Sequence, residues 1–111
     1  MVLDNILIFE NTIINSAKNK KGENVKVINL DKNSSIADKI ILITGLSPTN
    51  CRAIADEIDK NMSENKYFIL GKEGYKEGEW ILLDYNDIIV HIFTKDLRDY
   101  YNIEKLYNKS I

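Results

Sequence analysis

One cysteine, one proline, one histidine, one tryptophan and five glycines occur among 111 residues, and each scarcity excludes something. A lone Cys51 forms no internal disulfide, and one Cys with one His falls short of a Cys/His zinc set within one chain. A reducing compartment is the simplest home for such a chain. Glycine is too sparse for a phosphate cradle of the GxxxxGK[ST] type, and HExxH, GxSxG and CxxC are absent as well. No apolar run approaches the roughly twenty residues a membrane-spanning helix needs. The start, MVLDNIL, carries an acid where a secretory leader carries bases. With no linker or repeat to divide it, the chain is expected to form one domain over residues 1–111, cytoplasmic and without a membrane partner.

The composition that remains, 44% hydrophobic and 29% charged, is that of a folded domain rather than a disordered one. Net charge is -2 but unevenly placed: Glu73–Glu104 holds eight acids against three bases, leaving +3 for the rest. An acidic half is a poor footprint for phosphates and a fitting one for a basic protein, so no direct nucleic-acid contact is required.

Leu3, Ile6, Leu7, Phe9, Ile13, Ile14 and Ala17 recur near a helical period, which predicts a helix over 3–19 closed by Gly22. NVKVINL (24–30) alternates as a half-buried strand and is followed by a polar connection, Asp31 to Ser35. KIILITG (39–45) is a β-branched run suited to a strand covered on both faces. Ser47 is placed as an N-cap with Pro48 in the first turn, and Cys51, Ile54, Ala55, Ile58 and Met62 share one face of the helix Pro48–Met62. YFIL (67–70) reads as a short strand before a Gly71–Gly78 loop. WILLDY and IIVHIF form a hairpin about Asn86-Asp87. TKDLRDYYNIEKLY closes the chain in a short helix or helical turns, with Leu97, Tyr100 or Tyr101, and Leu106 as apolar positions. A parallel crossover from Ile40 through the helix to Phe68, combined with the antiparallel hairpin, gives an α/β fold: a single mixed five-stranded sheet flanked by helices.

The hairpin raises the functional question. With Tyr85 opposite Ile88, alternation assigns Ile81, Leu83, Tyr85, Ile88, Val90 and Ile92 to a core face. Trp80, Leu82, Asp84, Ile89, His91 and Phe93 fall on the other face, with Asp84 and His91 as diagonal neighbours. Taken singly, each polar exception is ordinary: Trp80 packs, His91 is a satisfied side chain, Asp87 is turn chemistry. Taken together, a Trp, an acid and an imidazole are not what an aliphatic covering layer requires, and they point to a protein-binding face. An enzyme would instead use Asp84 and His91 as an acid/base pair, or Asp84 and Asp87 as metal ligands, with no accompanying motif.

The stretch GYKEGEWILLDYNDIIVHIF (74–93), followed by RDYYNIEKLY (98–107) and preceded by KIILITGLSPTNCRAIADEI (39–58), closely resembles the ribosomal silencing factor family, also called Iojap-related proteins. The likeness runs from Asp38 to Tyr107. It implies a nucleotidyltransferase-like fold without the catalytic carboxylates, since no Asp-x-Asp follows the TGLS turn. It further implies a non-enzyme, with no cofactor, that binds the large ribosomal subunit through its ribosomal protein uL14. Docking there would block joining with the small subunit and repress translation when nutrients are short. On that reading Trp80 is the apolar anchor, Asp84, Tyr85 and Asp87 are polar contacts, His91 orients, and Arg98 with Tyr100 and Tyr101 forms the adjoining edge. Asn86 stands where the family has Gly, Thr49-Asn50 where it has Arg-Gln, and Tyr107 where it has Trp. Two rivals stay open: a nucleotide- or metal-binding transferase using Asp84, Asp87 and His91, and a homodimer formed through the Trp/Phe face.

Overall fold

The computed structural model describes residues 3–31 and 35–108, so most of the polar connection read at Asp31–Ser35 lies outside the described residues. Helix α1 (Leu3–Asn19) leads into strand β1 (Glu23–Asn29), then β2 (Lys39–Gly45) and helix α2 (Pro48–Glu64). Strands β3 (Gly71–Glu73), β4 (Trp80–Asp84) and β5 (Ile88–Thr94) follow, and helices α3 (Lys95–Tyr101) and α4 (Ile103–Asn108) close the chain. The five strands form one mixed sheet in the order β1-β2-β5-β4-β3. Ser47 caps α2 as the sequence predicts, its hydroxyl accepting from the Asn50 N–H at 3.1 Å, with Pro48 in the first turn.

The crossover needs a correction. The parallel neighbour of β2 is β5, with Ile40 beside Ile89 and Leu42 beside His91. YFIL forms no strand; the third strand begins at Gly71, inside the segment read as a loop, and runs antiparallel to β4. Burial explains why. Tyr67 and Ile69 pack on the core while Phe68 and Leu70 are exposed, so this segment suits a rim. A middle position demands apolar side chains on both faces, and β5, with six of its seven residues apolar or buried His91, meets that demand.

Helices α1 and α2 cover one face of the sheet, where Ile13, Cys51, Ile54 and Ile58 meet Ile41, Ile43, Ile81, Leu83, Val90 and Ile92. Burial pushes the Cys51 thiol up to about 11, as fits an inert packing residue. On the opposite face Ile28, Ile40, Leu42 and Phe93 lie beneath Leu97, Ile103 and Tyr107 of the C-terminal helices. The left-handed Asn102 (φ 47°) separates α3 from α4, and Tyr100 and Leu106 both face outward.

Close approach of α2 to β2 makes Gly45 a packing requirement, because a Cβ there would lie 2.4 Å from Cys51 Sγ. Gly45→Ala is expected to lower stability by about 1–3 kcal/mol, the usual cost of overpacking. Urea unfolding should show a lower midpoint at unchanged slope.

Candidate functional site

Strands β4 and β5 pair with Trp80 opposite Phe93, Leu82 opposite His91 and Asp84 opposite Ile89. These six residues form the sheet face away from α1 and α2, as alternation predicts. The loop 74–79 delivers Trp80 to its place. Gly74 has φ +77°, and a Cβ there would fall 2.0 Å from the Trp80 carbonyl oxygen, so only glycine fits that turn. Two α2 side chains one turn apart fasten the loop: Arg52 Nη1 donates to the Lys76 carbonyl at 3.0 Å, and Tyr75 donates its hydroxyl to Asp56 at 2.9 Å.

Trp80 Nε1–H donates to His91 Nδ1 at 3.0 Å. The indole ring also meets Phe93 and Tyr101, with centroids 5.2 and 5.0 Å away. Because Nδ1 accepts, the neutral imidazole carries its hydrogen on Nε2. That nitrogen is buried and has no acceptor among the described residues. With 5% of its surface exposed, His91 has a pKa lowered by burial from 6.5 to about 4, so the ring stays neutral at physiological pH.

The predicted residues divide into two groups. Trp80, His91 and Tyr101 come together, and Tyr100, 79% exposed, stands edge-on to Tyr101 at 4.9 Å. Asp84 does not pair with His91; its Oδ1 accepts from the Asn86 N–H at 2.8 Å, an Asx turn that supports the left-handed Asn86 (φ 72°). Asp87 lies at the turn and accepts from the Tyr67 hydroxyl at 3.0 Å, whose pKa burial and Asp87 push up to about 12.

Tyr85 is fully buried and donates to Asp59 at 3.3 Å, with burial and the Asp59 charge raising its pKa. It is therefore a core residue and not a contact. Arg98 is corrected likewise: 8% exposed, it donates through Nε to Glu104 at 2.9 Å and through Nη1 to the Asn24 carbonyl and to Thr44 Oγ1. It ties the C-terminal helices to the sheet from inside instead of forming an outer edge.

Phe93 belongs with Trp80, and register alone was enough to place it there. The loop fasteners Arg52 and Tyr75 left no signal in the sequence, since nothing local marks a side chain that reaches across from a helix. The catalytic rivals do not assemble: Asp84 and Asp87 are bound at the turn, His91 at the indole, and no three His, Cys, Asp or Glu side chains gather to hold a metal among the described residues. What the arrangement offers is a fixed aromatic group on a half-open face. Glu73, opposite Leu82 on β3, and Asp84 share that face.

A family model described as ribosomal silencing factor during starvation matches residues 8–110. The chain belongs to the ribosomal silencing factor family. Family members named ribosomal silencing factor from Halalkalibacterium halodurans and Bacillus subtilis are 40% and 38% identical to it over 94 and 88 residues. Those matches span 85% and 79% of this chain and 80% and 75% of the relatives. A crystal structure of a Chromobacterium violaceum protein superposes with a TM-score of 0.89 at 31% identity, covering 93% of this chain and 86% of that one.

The depressed His91 pKa fixes the sign of a pH effect. The folded chain keeps His91 neutral down to about pH 4, whereas the unfolded chain protonates it near 6.5. The fold is therefore most stable with respect to this group above that range and loses stability as pH falls from 6.5 towards 4. Measured by urea unfolding, the stability of His91→Leu relative to the parent is expected to rise by on the order of 3 kcal/mol between pH 7 and pH 4. A difference that does not change with pH contradicts the assignment.

Proposed function

We propose that this chain represses translation by occupying the large ribosomal subunit, in the cytoplasm, at ribosomal protein uL14, so that the small subunit cannot join. Family membership supports the ribosome as partner. One observation carries the choice of surface: Trp80 is held in a single orientation on a half-open face beside exposed Tyr100 and Tyr101. Trp, with Tyr and Arg, is enriched among the residues that anchor interfaces. Leu82 and Ile89 supply apolar floor around it, and Asp84 and Glu73 give the face an acidic rim suited to a basic ribosomal protein. Blocking by bulk needs no acid, base, metal or cofactor, in keeping with carboxylates that are tied into turns instead of converging on a cleft.

Subunit reassociation followed by light scattering tests this reading. Purified large and small subunits are mixed at rising Mg²⁺ with and without the protein. The parent chain is expected to suppress joining at near-stoichiometric amounts. Trp80→Ala should need roughly thirtyfold more protein, the equivalent of a hot spot of about 2 kcal/mol, while keeping its circular dichroism spectrum. If the parent leaves joining unaffected and does not sediment with large subunits, the proposal fails.

A further inference from the structure

Stability alone gives no reason for an imidazole at position 91. The ring is buried on the central strand between Phe93 and Ile89 and beside Leu42, and its Nε2–H finds no acceptor among the described residues. Such a stranded donor destabilises a fold, whereas Leu or Ile, both common in this sheet, would fill the site without one. Among the described residues, the polar contact of the His91 side chain is with Trp80, the only tryptophan of the chain. Leu82, directly opposite His91, could not hold the indole N–H; only an acceptor on the neighbouring strand, diagonal to Trp80, can.

We propose that His91 is a positioning residue for docking: its Nδ1 fixes one Trp80 rotamer in the free protein, so that the anchor meets its partner already arranged. The inference rests on the Trp80 face being the docking surface. Without the acceptor, the indole N–H turns towards water and the ring samples about six staggered combinations of its two side-chain angles. Apparent affinity then falls by the fraction of time spent in the competent one. The effect is a loss of arrangement and not of contact area, which separates it from removal of Trp80 itself.

Two variants divide the possibilities. His91→Leu removes both the acceptor and the stranded donor; His91→Asn keeps an oxygen close to the place of Nδ1. With a single Trp80, indole fluorescence and its one N–H resonance report the side chain directly. His91→Leu is expected to be no less stable than the parent, to show a red-shifted emission and a displaced indole resonance, and to bind purified large ribosomal subunits three- to tenfold more weakly by sedimentation. His91→Asn should restore both the resonance and most of the binding. A purely structural role would lower stability and binding together and would not be rescued by Asn; that pattern, or an unmoved indole, overturns the proposal. Trp80→Ala run in parallel separates the two readings. If it abolishes binding while His91→Leu binds like the parent, the docking surface stands and the positioning role is rejected. If Trp80→Ala binds like the parent, both are rejected.

Discussion

The Tyr85 N–H donates to the Ile88 carbonyl at 2.9 Å across the Asn86-Asp87 turn, and that closure sets the register on which both faces of the hairpin depend. A slip of one residue would exchange the faces, sending Trp80 and His91 under the helices and Ile81, Leu83, Val90 and Ile92 out of them. Each of those four is fully buried, and burying such a side chain contributes roughly 1.5–3 kcal/mol, so the alternative register is strongly disfavoured. Asn86 at φ 72° and the Asp84 carboxylate that accepts its N–H shape the turn. An acid expected to face a partner thus first serves the geometry that makes the face.

From that register the layers follow. The apolar side recruits α1 and α2, and the mixed side accepts the short C-terminal pair, held by the buried Arg98 between Glu104, Thr44 and the β1 carbonyl of Asn24. The C-terminal helices cover Ile28, Ile40 and Leu42 and meet the Trp80 ring through Tyr101. Coverage therefore ends in the middle of the face. The half-open remainder is where an anchor can be both fixed from below and reached from outside.

Strand periodicity made much of this legible in advance. The β2 run, the α2 cap and the two hairpin faces are local patterns, and local patterns survive folding when burial agrees with them. The crossover is not legible in advance because YFIL and IIVHIF are both apolar runs, and periodicity does not say which one occupies the middle of a sheet. Trp80, His91 and Tyr101 lie together because register and sequence proximity bring them there. Tyr85 and Arg98 depart from the sequence expectation for a shared reason: each has a polar end that satisfies its hydrogen bonds inside, with Asp59 in one case and with a carbonyl from a strand 74 residues away in the other. Long-range satisfaction of that kind has no local signature.

The central claim is that the half-open face around Trp80, and not the helical face, meets the ribosome. Its most direct test is site-specific photocrosslinking to purified large subunits, with the photoreactive side chain placed at Tyr100 or Tyr101 in one pair of variants and at Asn11 or Lys60, exposed on α1 and α2, in another. The account predicts crosslinks from Tyr100 and Tyr101 to a basic large-subunit protein, uL14, and none from the helical positions. Crosslinks arising from Asn11 or Lys60 while the Tyr100 and Tyr101 probes stay silent would contradict it.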